Sequence, residues 1–346
     1  MENNKVLSII IPTYNMSKYI NRCLDSLIIR DLDKLEVLVV IDGSKDDSSE
    51  KAHVYQDKYP SSFRVIDKEN GNYGSCINRG LKELTGRFVK VLDADDWYDT
   101  DELNKLVNEL EGMDADVDMV LTHYQVCDPS GTSQPVRISD KWTFGKKYTV
   151  QDLFSNRDFF RLAMHMVLYR SSLFSEFSYF QTEGISYTDV EWVFKPLYYV
   201  KNVVFSNADV YRYFFGREGQ TMDPAVRLRS LTHEWKSLIS MLDFNEKNTN
   251  ISGNLVDYTQ FRINVRLMNI YIDSLIHMDD KSFENFNLKE IDDFLKTNYP
   301  KVYDSVSCYD VRGKLITSWR NSGKRYSAFV RKIIGTAMNC YSKMKA

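Results

Sequence analysis

Along the first hundred residues, short apolar runs recur at Val6–Ile11, Glu36–Ile41, Phe63–Ile66 and Phe88–Leu92, and the stretches between them carry helical spacing. β-branched residues occupy both faces of these runs, as in parallel strands covered by helices on each side. A βαβ-type α/β fold with a mostly parallel sheet follows, and such a sheet binds ligands beyond the carboxyl ends of its strands. Polar residues stand at those ends. Pro12-Thr13-Tyr14-Asn15 follows the first run, Asp42-Gly43-Ser44 the second and Asp93-Ala94-Asp95-Asp96-Trp97 the fourth, so one edge of the sheet is expected to collect them.

Past a turn at Asp128–Gly131, the pattern predicts irregular or hairpin structure over Ile138–Lys147, a strand at Met164–Tyr169 and a helix over Asp189–Val200. Two short strands, Val203–Phe205 and Val210–Phe214, are expected to end the sheet near residue 215. From Pro224 onward, helical patterns replace strands at about 225–243, 255–278 and 285–297. This change of period sets an expected boundary: an α/β domain over residues 1–223 and a helical region over 224–346. A chain of 346 residues, 43% hydrophobic, exceeds what one core usually serves, which agrees with two parts.

Charge narrows the partners. A formal net charge of -3 supplies no global field for nucleic acid, so no nucleic-acid partner is expected. Basic charge is local: residues 301–346 hold ten Lys or Arg against two Asp, and Arg320, Lys324, Arg325, Arg331 and Lys332 stand among Trp319, Tyr326, Phe329, Ile333 and Ile334. This basic, amphipathic tail, about 312–346, is expected to touch anionic lipid, where each Lys or Arg is worth roughly 1 kcal/mol. A solvated helix and a contact within a homo-oligomer are the alternative readings. The five cysteines are scattered and suit a reducing compartment. No run approaches the roughly 18 apolar residues of a membrane span, and Val6–Ile11 is too short for a signal-peptide core. The expected location is cytoplasmic, peripheral on the inner face of the plasma membrane.

Asp93, Asp95 and Asp96, directly after an apolar strand, would repel one another unless a cation or hydrogen-bond donors compensated. Mg²⁺ or Mn²⁺ takes one or two protein carboxylates and completes its shell with phosphate oxygens and water, so a nucleotide diphosphate is a natural companion. A helix start explains Asp99 and Asp101 equally well, but not acids at a strand terminus.

Taken in order, Val6-Leu-Ser-Ile-Ile-Ile-Pro-Thr-Tyr-Asn15, Val37-Leu-Val-Val-Ile-Asp-Gly-Ser44, Glu69-Asn-Gly-Asn-Tyr-Gly-Ser75, Thr85-Gly-Arg-Phe-Val-Lys-Val-Leu-Asp-Ala-Asp-Asp-Trp97 and Thr188-Asp189 resemble the inverting glycosyltransferases of family 2, over about residues 5–222. The resemblance implies a GT-A type, Rossmann-like, mostly parallel sheet flanked by helices, with a donor half of about 1–97 and an acceptor half of about 98–223. It also implies Mn²⁺ or Mg²⁺, a UDP-sugar donor, and a glycan or lipid-linked glycan acceptor. Pro12, Thr13, Tyr14 and Asp42 would cradle the nucleotide base; the family often has two acids here, and this chain has Ile41 before Asp42. Asn70 and Gly71 would approach the donor ahead of a helix over Ser75–Leu84, and Asn78 belongs to the next motif, where relatives often carry an Arg and this chain has Ile77. Asp93 with Ala94 would lie against the donor ribose or phosphates, Asp95 would be the principal metal carboxylate and Asp96 its support. Asp189 would act as general base, with Thr188 in place of the usual Glu and Glu191 in reserve. Arg217, in a loop expected over Arg217–Met222, would face the pyrophosphate.

Each assignment has a plainer counterpart. Asp42-Gly43-Ser44 also reads as a turn before a helix over Lys45–Tyr59, Asp189 as a helix cap, and Arg217 as a solvated turn. His165, inside Ala163–Leu168, reads as a core or cleft histidine, with no second His at metal-ligand spacing. The Gln-x-x-Arg-Trp motif of processive synthases is absent, so one transfer per encounter is expected. Two other readings are nucleotidyl transfer on a similar fold, which lacks its glycine-rich basic loop here, and a lapsed nucleotide-sugar or glycan-binding module, against which the retained acids argue.

Overall fold

The computed structural model describes residues 5–216, 220, 224–310, 312–327 and 329–336. Its first elements follow the expected alternation: β1 (Leu7–Thr13), α1 (Ile20–Asp25), β2 (Leu35–Asp42), α2 (Ser48–Lys58), β3 (Phe63–Lys68), α3 (Asn72–Glu83) and β4 (Phe88–Val91). All eight residues of β2 are buried, because helices cover both faces and water reaches neither. β1 pairs in parallel with β2 and β4, and β2 with β3. Their carboxyl ends therefore point the same way.

The remaining strands are β5 (Trp97–Tyr98), β6 (Met119–Cys127), β7 (Ser133–Val136), β8 (Lys147–Thr149), β9 (Val167–Arg170) and β10 (Asn202–Phe214). The main sheet runs β3-β2-β1-β4-β9-β6-β10-β5, with β7 on β6 and β8 on β10. β9 is antiparallel to both β4 and β6, while β6 and β10 are parallel. The two strands expected at 203–205 and 210–214 are one bulged strand, whose register shifts between Phe205, Asp209 and Tyr211; a bulge bends a strand without ending it.

Among the helices of this part are α4 (Thr100–Glu111), α5 (Val150–Ser155), α6 (Leu173–Glu176) and α7 (Asp189–Trp192). Asp99 caps α4 by accepting from Glu102 N–H at 3.1 Å, the role its position at a helix start suggested. The long helix expected over Asp189–Val200 is instead α7 followed by a 3-10 turn at Pro196–Tyr198. Pro196 has no N–H to continue an α-helical ladder.

By internal contacts the chain forms two compact units: Met1–Gln220 with Asn250–Leu255, and Thr221–Thr249 with Val256–Ala346. Helices characterise the second: α8 (Pro224–Arg229), α9 (Leu231–Lys247), α10 (Asn254–Ile272), α11 (Asp280–Phe286), α12 (Leu288–Asn298), α13 (Pro300–Cys308) and α14 (Gly313–Asn321). Asp292, fully buried, accepts from Arg320 Nε at 2.8 Å, lies 2.7 Å from Lys324 Nζ and accepts from the Tyr271 hydroxyl. Arg331 is buried too, donating to the Met278 carbonyl beside Asp280. Three of the cations expected to face lipid are thus paired inside this unit.

Candidate active site

The in-register pairing of β2 and β3 sets Asp42 opposite Lys68. Lys68 Nζ lies 2.6 Å from Asp42 Oδ1, and Gly71 N–H donates to the same oxygen at 2.9 Å. The Asn70 amide donates to the Asp42 carbonyl at 2.8 Å. These bonds fix the carboxylate while Oδ2 receives none of them. Gly43, at φ +67°, turns the chain tightly enough for the Asn70 backbone to pass. Asn15 joins the loop after β1 to this turn: its N–H donates to Ser44 Oγ and its Oδ1 accepts from Lys45 N–H. Together Pro12, Thr13, Tyr14, Asp42, Asn70 and Tyr73 line a cleft of about 310 Å³. The Tyr14 ring is 43% exposed at its mouth.

At the end of β4 the chain turns through Asp93 to Asp96, with Asp96 N–H on the Asp93 carbonyl at 2.9 Å. Tyr211 joins both ends: its hydroxyl donates to Asp96 Oδ2 at 2.6 Å and accepts from Asp93 N–H at 3.2 Å. Phe214 N–H donates to Asp96 Oδ1 at 2.7 Å. Burial first, then Asp95 and Asp93, push the Asp96 carboxyl well above the usual range, which is the price of three acids in one turn. Arg22 donates to the Asp95 carbonyl at 2.7 Å and lies 3.8 Å over the Trp97 ring, adding a positive charge behind the acids. Ala94 faces the core at 2% exposure. Its methyl fills the apolar layer under the turn, so a donor contact at Ala94 would be made by its backbone.

His165 enters from a 3-10 turn, Met164–Met166, ahead of β9. One ligand atom from each of Asp93, Asp96 and His165 lies within 4.8 Å of the other two. Asp95, expected to lead metal binding, is outside that trio. Burial and then Lys90 push the imidazole down to about 3, so the ring stays neutral. The sequence reading assigned this residue to packing, because the 3.6- and 2-residue periods carry no information about a partner brought in by β9.

Asp189 is the first residue of α7. The position before the helix is Thr188, with no side-chain cap bond of its own. Burial raises the phenols of Tyr73 and Tyr213, and both also feel Asp93 and Asp189. These two rings therefore join the acidic turn to the Asp189 side. Tyr73 donates to Asp93 Oδ1 at 3.0 Å; it went unremarked in sequence because α3 begins at Asn72, three residues earlier than expected. Glu191 is fully buried, 2.5 Å from Lys195 Nζ and accepting from Thr182 N–H at 3.1 Å. The reserve base of the sequence is thus paired with Lys195 and bonded to the backbone at 182.

Asn78 is engaged within the fold. Its amide donates to the Gln181 carbonyl and Glu183 Oε1, both at 2.8 Å, and accepts from Gln181 N–H at 2.9 Å. These bonds clamp the 181–183 segment to α3. Gly74 serves the same contact, since a Cβ there would stand 2.0 Å from the Thr182 carbonyl oxygen. Arg217 lies outside the described residues. Gln220 donates to the Phe214 carbonyl at 2.9 Å and accepts from Gly216 N–H at 3.0 Å.

Residues 8–177 match the family model described as glycosyl transferase family 2. The chain is 27% identical over 177 residues to glycosyltransferase GlyA of Streptococcus pneumoniae, covering 49% of this chain and 25% of that one. It is 35% identical over 112 residues to the uncharacterized glycosyltransferase EpsJ of Bacillus subtilis, covering 32% of each. Such matches span between 18% and 39% of the length of the curated relatives. Among solved structures, S. aureus TarS residues 1–349 in complex with UDP-GlcNAc superimposes with a TM-score of 0.61 at 20% identity, covering 93% of both chains. The mannosyltransferase PcManGT of Pyrobaculum calidifontis, in complex with GDP-Man and Mn²⁺, gives 0.50 at 16% identity, covering 91% of this chain and 87% of that one. Those two likenesses establish a common GT-A fold. With that sheet carrying the matched segment, the chain belongs, over residues 8–177, to glycosyl transferase family 2.

Proposed function

We propose that this chain is an inverting glycosyltransferase that moves a hexose or N-acetylhexosamine from a UDP-sugar to a hydroxyl of a glycan or lipid-linked glycan, in the assembly of a cell-surface polysaccharide or glycoconjugate. One observation carries the reading: Tyr73 donates to Asp93 Oδ1 at 3.0 Å, and its phenol, like that of Tyr213, is raised by burial and also by the charge of Asp189, 96 positions from Asp93, which supports a donor-side and an acceptor-side acid at one site. TarS in complex with UDP-GlcNAc supports a nucleotide-sugar donor for this fold.

In this reading the uracil lies in the cleft beside Tyr14. Asp42, held on Oδ1 by Lys68 and Gly71, offers Oδ2 to the base N–H. Asn70 and Gly71 bring backbone close to the donor at the start of α3. Asp93 and the Tyr73 hydroxyl orient the ribose and phosphates. Mn²⁺ or Mg²⁺, held through Asp95 and Asp96, would neutralise charge on the departing diphosphate; the crowding of three acids into the turn after β4, where burial, then Asp95 and Asp93, hold the Asp96 carboxyl above its usual range, fits such an ion. Asp189 takes the acceptor hydroxyl proton as the oxygen bonds to the anomeric carbon and the carbon–phosphate-oxygen bond breaks, inverting that carbon. Arg217 would add positive charge at the pyrophosphate.

The test is a thermal-shift titration with UDP-GlcNAc, UDP-glucose, UDP-galactose and GDP-mannose, with and without Mn²⁺, followed by product assay of the stabilising donor. A metal-dependent stabilisation by one UDP-sugar is expected, together with turnover reduced on the order of 10²- to 10⁴-fold in Asp189→Asn. Stabilisation by none of them, or undiminished turnover in Asp189→Asn, would defeat the proposal.

A further inference from the structure

The reaction above gives His165 no task. Its ring is packed among aromatic residues, 4.3 Å from Tyr213, 4.7 Å from Tyr211 and 5.2 Å from Tyr124 between centroids. Packing accounts for the faces of the ring, not for its nitrogens: Nδ1 is shielded from solvent and has no hydrogen-bond partner. A buried polar atom left so is uncommon and points to a missing partner. The ring also brings one nitrogen within 4.8 Å of carboxylate oxygens of Asp93 and Asp96. Ligand atoms each about 2.1 Å from a shared ion stand roughly 3–4 Å apart, so atoms that lie within 4.8 Å of one another reach one cation by shifts of less than about 1 Å each.

The turn that presents the ring is itself held. Lys90, inside the sheet on β4, donates to the His165 carbonyl at 2.8 Å and to the Val167 carbonyl at 3.1 Å. An ammonium placed there gains no contact with the acids but fixes the backbone on either side of Met166. It is the arrangement of a residue that aims another.

Resting on the donor-site reading, we propose that His165 supplies a nitrogen ligand to the divalent cation beside Asp93 and Asp96, and so biases the site toward Mn²⁺ over Mg²⁺. Oxygen ligands alone suit both ions, whereas an imidazole nitrogen favours the first-row transition ion. Lys90 is its positioning residue.

The experiment uses the full chain with UDP and Mn²⁺. Mn²⁺ binding is followed by electron paramagnetic resonance, and the bound ion is examined by electron spin-echo envelope modulation in protein carrying ¹⁴N- or ¹⁵N-histidine. Directly bound ¹⁴N is expected to modulate the wild-type signal and to change with ¹⁵N labelling, a readout that needs no variant to fold. In His165→Gln the modulation disappears and Mn²⁺ affinity falls on the order of tenfold or more, while Mg²⁺, measured by competition, loses much less. In Lys90→Met the modulation persists with weaker Mn²⁺ binding. Bound Mn²⁺ without histidine modulation, or His165→Gln binding Mn²⁺ as wild type does, overturns the role of His165 and leaves the donor-site reading standing. No Mn²⁺ bound by the wild type with UDP overturns both.

Discussion

On β4, Lys90 has no exposed surface and two carbonyls for partners, and burial lowers its ammonium from 10.5 to about 7. The sign of its effect on stability follows. Between about 7 and 10.5 the unfolded chain holds a proton at this position that the folded chain has released, so folding becomes more favourable as pH rises through that window. Below about 7 both states hold it and the dependence vanishes. In urea denaturation with a chelator present, the stability of wild type relative to Lys90→Met is therefore expected to rise from pH 7 to pH 10 and to be flat from pH 6 to 7. Parallel curves across the whole range would refute this. Lys90 also marks how legibility divides among single residues. Asp42 and Asp93–Asp96 could be found in sequence because each ends a strand, and a strand end in a parallel sheet has a predictable place. His165 could not, since its approach to Asp93 depends on β9 returning antiparallel between β4 and β6. The bonds of Asn78 and Glu191 are hidden from the sequence for a related reason: the polar groups they satisfy belong to the 180–183 segment, which no periodicity describes.

At the level of elements, the strands of the first half were legible and the turns between them were not. Runs such as Leu35–Asp42 are buried on both faces, so their hydrophobic pattern is determined by the sheet alone. The 181–192 region instead takes its shape from particular contacts: Asn78 on Gln181, Glu191 on Thr182, and the Gln181 amide donating to the Thr188 carbonyl at 2.9 Å. α3 packs directly against this segment at Gly74, where the nearest atoms to an added Cβ are backbone atoms of Thr182 at 2.0 and 2.8 Å. Backbone cannot rotate away as a side chain can, so Gly74→Ala must displace either the helix or the segment leading to Asp189. A loss of about 1–3 kcal/mol is expected by urea denaturation. A fall in turnover larger than the change in UDP affinity is also expected, because Tyr73 is on the shifted helix and Asp189 lies beyond the shifted segment. Wild-type stability with unchanged turnover would show that the contact is looser than the geometry requires.

For the whole molecule, the charge pattern is where sequence and structure part most clearly. The tail looked uniformly basic because a list of residues does not show which charges are spent. Arg320 and Lys324 neutralise the fully buried Asp292, and Arg331 is itself buried at Met278 and Asp280. Arg325, Lys332, Phe329 and Ile333 are exposed. Removing everything after residue 311 is therefore a poor probe of membrane contact. It would leave Asp292 with the Tyr271 hydroxyl but neither cation, at a cost of roughly 3–5 kcal/mol, and binding lost with the fold would be misread as binding lost with the tail. The double variant Arg325→Glu with Lys332→Glu touches only exposed side chains and is expected to change stability by less than about 0.5 kcal/mol. If the exposed face of this tail meets anionic lipid, that variant should co-sediment with phosphatidylserine vesicles at least about tenfold more weakly than wild type, since each charge near such a surface is worth roughly 1 kcal/mol. Equal co-sedimentation by two equally folded proteins would remove lipid as the partner of this face.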